Sequence, residues 1–401
     1  MRVPRSAAAW MACCMALALA GCGADKVEAS GTTDENGACV LTIGTLGPLA
    51  GPAADFGLSM KGTADLAAAE VNQQGGLRVG ERTCHVRVSP YDTGYTSAGA
   101  ANGAGEFIGQ GIRFVIGPMG ATEVTGMKPL AGRNDMLLVA NGFGRDALQP
   151  RYPLVFHVAP GPSVWAAPII AEARKHFSFS KVTIVATSDQ SGSDIADVNE
   201  IRFTQAGLPV SRESYQRGTQ DFAPIVSRIL GHDPDLVDLA STPAADAGTM
   251  VKQLRQAGYT GTFCRLGGES TAEIARVAGG NDVLGNFFYY SMVDLSDPRM
   301  QQLSAEYEQI AGRPATSLTL GWLPAARALL RAISAAGTTT DTQAVAARLR
   351  QDPLEDPDLG RGVWTGQQEF GVDQEMSFPF YMGYIRDGQP QPLVRLEATQ
   401  P

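Results

Sequence analysis

The feature that most constrains this chain is a strand–helix alternation that runs through it twice. From residue 40, VLTIGTL reads as a strand, and the turn-rich run Gly47-Pro48-Leu49-Ala50-Gly51-Pro52 leads into a helix from about residue 58 to 73. Met60, Ala64, Ala67 and Val71 share one face of that helix, and Gln74-Gly75-Gly76 stops it. CHVRVSPYD, IRFVIGP, MLLVAN and LVFHVAP are further strand-like runs, with helices over residues 97–108 and about 123–133 among them. A second series starts after Pro160. Its strands are KVTIVAT, LPVSRESY, DLVDLAS, TGTFCRL and NFFYYSM. Its helices begin at Val164, Asp194, Asp221, Ala245 and Thr271. Strands alternating with helices of this length form parallel sheets covered by helices on both faces. The expected fold is therefore α/β, with two similar lobes and a cleft between them. The tail departs from the pattern. Residues 298–311, 317–335 and 341–350 read as helices, and SFPFYMGYIRDGQPQPLVRLEA as a hairpin turning at Asp387-Gly388. In open α/β sheets a ligand sits beyond the carboxyl ends of the strands. Here those ends are residues 47–56, 118–122, 141–144, 187–193, 241–244 and 267–270.

The first 22 residues carry a different signal. Arg2 and Arg5 precede an apolar stretch, AAAWMACCMALALA, that is short of the roughly 20 residues a membrane-spanning helix needs. It closes on Leu19-Ala20-Gly21-Cys22, which resembles the bacterial lipobox, in which the cysteine is diacylated and becomes the mature N-terminus. Residues 1–22 are then a lipoprotein signal peptide and 23–39 a small, polar tether. A cleaved secretion signal with a chance cysteine is the plainer alternative. The formal net charge is −9, and the loss of Arg2 and Arg5 makes it more negative. An acidic surface without a Lys/Arg-rich run has no general attraction for nucleic acid. Cys39 and Cys84 open two strand-like runs at similar places. Neighbouring parallel strands set their starts side by side, and an oxidising compartment favours a bond between such cysteines. Cys264 reads as a buried free thiol. The cysteine spacings resemble no metal site, and no cofactor is implied.

In order and spacing, TIGTLGPLAGPAADFG, VNQQGG, IRFVIGPMGATEV, DPDLV and LRQAGYTGTF resemble segments of the type I periplasmic binding proteins of the leucine/isoleucine/valine-binding branch. The resemblance spans residues 40–397. It implies two lobes joined by three hinge crossings, near residues 158–162, 290–294 and 371–377. Lobe one would be 40–160 plus 292–372, and lobe two 161–291 plus 373–397. It also implies a monomeric, extracytoplasmic receptor that hands a small molecule to the permease of an ATP-binding-cassette importer.

The resemblance places the ligand against Phe56, Met119, Gly120, Ala121, Thr122, Gly142, Phe143, Gly144, Ser191, Thr242 and Glu269. In amino-acid-binding relatives two hydroxyls hold the α-carboxylate, and here alignment puts Ala121 and Gly144 at those positions. Thr122 is adjacent and is equally readable as a helix cap. The amides of residues 120–122 would meet an anion or carbonyl at a helix N-terminus. Phe56 and Phe143 either line the pocket or pack beneath their loops. Two positions that are often tyrosine in relatives fall at Ser191 and near Thr242-Pro243. Glu269 aligns with the acid that meets an α-ammonium, and a solvated loop glutamate is its plain reading. A buried, unpaired carboxylate is costly, so Glu269 in a closed cleft implies a cationic or donor-bearing ligand.

Enzyme readings find little support. His85, His157, His176 and His232 are scattered, and there is no GxSxG, phosphate loop or HExxH. The main rival is a ligand sensor of the same fold that signals to a membrane receptor or kinase.

Overall fold

The computed structural model describes residues 38–397 except Pro52 and Ser241. The signal peptide, Cys22 and nearly all of the tether lie outside the described residues.

The first series is β1 (Val40–Gly47), α1 (Ala54–Gln73), β2 (Leu77–Val79), β3 (Arg82–Asp92), α2 (Ser97–Gly109), β4 (Phe114–Met119), α3 (Ala121–Arg133), β5 (Leu137–Asn141) and β6 (Val155–His157). The second opens with α4 (Pro162–Ala173), β7 (Val182–Thr187), α5 (Gln190–Gln205), β8 (Val210–Tyr215), α6 (Ala223–Gly231) and β9 (Leu236–Asp238). It continues with α7 (Ala244–Gln256), β10 (Thr262–Arg265), α8 (Thr271–Ala278), α9 (Asn281–Leu284) and β11 (Phe287–Ser291). The tail holds α10 (Pro298–Ala311), α11 (Ser317–Gly321), α12 (Leu323–Ala336) and α13 (Thr342–Gln351). After these come β12 (Glu355–Asp356), β13 (Gly360–Arg361), β14 (Val363–Thr365), α14 (Gln367–Phe370) and β15 (Glu375–Ser377). β16 (Phe380–Arg386), β17 (Gln389–Pro390) and β18 (Val394–Leu396) end the described chain.

The strands form two sheets. The first runs β14-β15-β6-β5-β4-β1-β3-β2, parallel except for β14 and β2 at its ends. The second runs β17-β16-β11-β10-β9-β7-β8, with β18 also on β16, and is parallel from β11 to β8. β4 and β7 are buried along their whole length, as their predominantly apolar, β-branched runs suit when helices cover both faces of a sheet. In each sheet the order reverses once, between β1 and β4 and between β7 and β9. The strand ends at such switch points open a crevice for a ligand.

Cys39 and Cys84 form a disulfide, because Val40 pairs with His85 and so sets the preceding residues side by side with Cα atoms 4.4 Å apart. Cys264 is a buried free thiol, and burial pushes its pKa up. The tail helices pack on lobe one. Arg327 of α12 donates to Glu70 of α1 at 2.8 Å, to Asp356 at 2.9 Å and to Asp358 at 2.7 Å.

Some boundaries differ from the sequence reading. α1 starts at Ala54 rather than at about residue 58, because the loop before it is shorter than its Gly/Pro content suggests. A Cβ on Gly57 would stand 2.0 Å from the Pro48 carbonyl oxygen, so only glycine lets helix and loop approach this closely. The helix expected over residues 317–335 is two, α11 and α12, divided at Trp322 with Pro324 in the first turn of α12. The expected terminal hairpin begins later, because Ser377 belongs to β15 in the first sheet and the second sheet resumes at Phe380. The third passage between sheets is therefore at Phe378-Pro379, beyond the boundary at residue 372 drawn from the resemblance. The turn does fall at Asp387-Gly388, with φ of 48° and 76°.

Candidate functional site

Both switch points face one cleft of about 770 Å³ between the sheets. On the lobe-one side its wall is the loop after β1, the start of α3 and the end of β5. Gly120 precedes α3 with φ 95°, a conformation glycine adopts without strain, and its N–H donates to Asn141 O at 2.6 Å. Behind this loop the buried Glu123 accepts from Met119 N at 3.0 Å and from the Thr93 hydroxyl. Burial raises Glu123 to about 7.

The lobe-two wall comes from the loops after β7, β8, β9 and β10. Arg217 donates to Asp189 Oδ2 at 2.6 Å, and its guanidinium lies 5.5 Å from the centre of the Tyr95 ring of lobe one. Thr242 is buried with its hydroxyl donating to Leu239 O at 2.7 Å. Arg265, the last residue of β10, donates through Nη1 to Thr242 O at 2.6 Å. The floor is aromatic. The Trp165 indole N–H donates to Leu266 O, and its ring stacks on Tyr290 with centroids 3.8 Å apart. Phe143 meets Trp165 edge-on at 5.2 Å.

Of the residues singled out from the sequence, Phe56, Met119, Gly120, Ala121, Gly142, Phe143, Ser191, Thr242 and Glu269 line this cleft. Thr122 and Gly144 do not. Thr122 is half-buried in the first turn of α3, behind Gly120 and Ala121. Gly144 faces the other lobe, where an added Cβ would stand 3.1 Å from Asp194 Oδ2 of α5. Phe143 satisfies both of its readings, since it lines the cleft and packs on Trp165. Glu269 is not a solvated loop residue: it is 5% exposed. Its Oε1 accepts from Met292 N at 2.5 Å, and burial raises it to about 8. A carboxyl that is engaged and held largely neutral near pH 7 does not by itself demand a cation. Of the cationic or donor-bearing ligand expected from the sequence, the donor-bearing alternative needs no charge on Glu269.

Sequence reasoning missed Tyr95, Trp165, Arg217, Arg265, Tyr290 and Trp322, all of which line the cleft. Arg265 had a signal, an arginine within the otherwise apolar strand TFCR. The aromatic residues look like core in a linear reading.

The lobes touch across the mouth. Arg145 of lobe one bonds Asp197 of α5 at 2.6 Å, and Gln190 Nε2 donates to Asp146 Oδ1 at 3.4 Å. On the other side of the floor the three crossings lie together. Residues 158–160, Tyr290 and Met292, and Met376 with residues 378–380 border one small crevice. Two α/β bodies on three adjacent strands of chain, with a cleft at both switch points, define a hinged receptor that engulfs a small molecule.

The sequence matches the periplasmic binding protein family over residues 40–389, and the chain belongs to that family. A Leu/Ile/Val-binding protein of Rhizobium johnstonii is 27% identical over 343 residues, 85% of this chain and 91% of the relative. The branched-chain amino acid transporter substrate binding protein LivJ of Streptococcus pneumoniae, in complex with isoleucine, shares the fold. Its TM-score is 0.74 at 17% identity, over 89% of this chain and 99% of that one. A solute binding protein of an ABC transporter from R. palustris, in complex with benzoate, has a TM-score of 0.71 at 16% identity, over 89% and 96% of the two chains. The chain is a solute-binding receptor of the ATP-binding-cassette importer type, and such receptors work outside the cytoplasm.

Proposed function

We propose that this receptor is lipid-anchored through Cys22 and captures, as a monomer, a small polar molecule other than leucine, isoleucine or valine for delivery to its permease. The observation that carries the ligand reading is the composition of the cleft wall. Ala121 stands where the first carboxylate-binding hydroxyl is expected, and Gly144 lies outside the cleft. The Thr242 hydroxyl is already bound to Leu239 O. A hydrogen bond to a charged group contributes about 1.5–3 kcal/mol, so losing one weakens an α-carboxylate complex by an order of magnitude or more. The fold does not choose the ligand, since its neighbours are complexes of an aliphatic amino acid and of an aromatic acid. A cavity of about 770 Å³ also has room for more than one aliphatic side chain.

Isothermal titration of the mature protein with leucine, isoleucine and valine tests the ligand reading. Submicromolar affinity for any of the three would sink it. The anchor is tested by Cys22→Ser, which should release the protein from membranes. Identical fractionation of variant and wild type, with no acyl mass on the latter, refutes it.

A further inference from the structure

Among the described residues, Arg265 is the one charged side chain of the cleft whose chemistry the fold leaves largely unanswered. It is 2% exposed and lines the cavity. A guanidinium carries five N–H donors. One bonds Thr242 O, while Nε is buried without a partner. Among the described residues Arg265 makes no ion pair. Every other charged group on the cleft wall is either provided for or open to water. Arg217 is paired with Asp189, and Glu273 is paired with Arg276 at 2.6 Å. Asp246 accepts from the Tyr215 hydroxyl at 2.9 Å, Glu269 accepts from Met292 N, and Asp55 is exposed. Proteins rarely bury arginine unpaired, because a desolvated charge without a counter-charge is costly. Burial accordingly pulls Arg265 down to about 10, against the opposing influence of Tyr215, Asp238 and Glu269, none of which forms an ion pair with it, and it still carries its charge at neutral pH.

The surroundings say what kind of group completes it. Thr242 O fixes the guanidinium at the end of β10, and a planar fork of N–H donors matches a carboxylate in two-point contact. The floor beside it is the Trp165–Tyr290 stack, which offers flat apolar area. On the opposite wall the buried Asn141 has its Oδ1 unpartnered and lines the same cavity, which suits an O–H or N–H elsewhere on the molecule. We infer that the ligand is a small carboxylic acid with a flat or apolar body, and that Arg265 of lobe two binds its acid group. This rests on the solute-receptor reading and specifies its substrate class. It reverses the arrangement implied by the resemblance, in which lobe one holds the carboxylate.

The test is a set of matched acids and neutral amides titrated into mature protein: benzoate and benzamide, 4-hydroxybenzoate and 4-hydroxybenzamide, 3-phenylpropionate and its amide, with benzylamine as the cationic control. An acid should bind, its amide should bind about tenfold or more weakly, and Arg265→Gln should weaken the acid by about tenfold to a hundredfold and the amide by a clearly smaller factor. Arg265→Lys should keep part of the affinity. An amide or amine that binds as tightly as its matched acid, or an acid whose affinity Arg265→Gln does not change, overturns the role of Arg265 and leaves the receptor intact. Silence across acids, amides and amines overturns the inference and counts against the receptor reading with it. A second measurement needs no ligand. Because the charge is held against its desolvation cost, Arg265→Met should raise the Tm of ligand-free protein by several degrees. A fall of similar size would show that Arg265 is a structural element bonded to Thr242, and would overturn the inference.

Discussion

Replacing Glu269 by glutamine separates the charge of that side chain from its shape. Glutamine retains an oxygen that accepts from Met292 N and removes the proton equilibrium. In the folded protein burial raises the Glu269 carboxyl to about 8 from an ordinary 4.5, against the opposing influence of the Met292 N–H, Ser291 and Arg265. Between those values the folded protein holds a proton that the unfolded chain has released, so stability falls as pH rises from about 4.5 to about 8. At about 1.4 kcal/mol per pH unit, ionising this group in place costs at most about 5 kcal/mol. Other carboxyls raised by burial, Glu123, Asp194, Asp238 and Asp246, are common to both proteins and cancel in the comparison. Urea unfolding at about pH 5 and about pH 9 measures the effect as a difference between Glu269→Gln and wild type. The variant should gain on wild type by several kcal/mol between those pH values. A difference that stays constant with pH would show that Glu269 ionises freely, and that its place in the cleft is not desolvated.

Two further outcomes follow from contacts away from the floor. The Cys39–Cys84 bond closes a 45-residue separation, so Cys84→Ser should cost up to about 4 kcal/mol in urea unfolding; an unchanged midpoint would show that the bond contributes nothing. The Arg145–Asp197 pair at the mouth is largely exposed and worth at most about 1 kcal/mol, so Arg145→Ala should enlarge the ligand-free protein slightly in solution scattering at low salt. The difference should vanish near 1 M salt, where screening reaches ~3 Å, and its persistence there would rule out an electrostatic latch.

The architecture was legible because two periodicities interleave without ambiguity. Runs such as VTIVAT are β-branched and mostly apolar, as suits a strand covered on both faces, and the intervening segments repeat at helical spacing. The disulfide was legible for the same reason, since parallel register follows from strand starts. Two places resisted. The Trp322-Leu323-Pro324 break reads as continuous helix until Pro324 is recognised as a first-turn residue. Half of the site was hidden because Trp165 and Tyr290 are ordinary apolar positions in a helix and a strand. Only the packing of α4 on β11, with Phe143 of lobe one against Trp165, turns those faces into a floor. Thr122, adjacent to the aligned Ala121, lies outside the cleft because α3 begins at Ala121 and turns its second residue away, and Gly144, carried over by alignment, lies outside it against Ala121 and Asp194.

The two walls of the cleft differ in kind, and that difference bears on how the receptor discriminates. Lobe one contributes the backbone at Gly120 and Ala121, the Asn141 amide and aromatic edges, and its one carboxylate on the wall among the described residues, Asp55, is exposed to water. Lobe two contributes Arg265 and Glu269, both buried and both held away from their ordinary ionisation by desolvation. Glu269 also accepts from Met292 N, which belongs to the second crossing, so the ionisable wall is tied directly to the hinge. For a ligand that met lobe one first, the surface offered would be apolar and weakly polar, and the desolvated groups of lobe two would come into reach only on closure. If the ligand is an acid held by Arg265, as inferred above, the electrostatic part of its affinity would then depend on closure, and an acid and its amide should differ in the closed form.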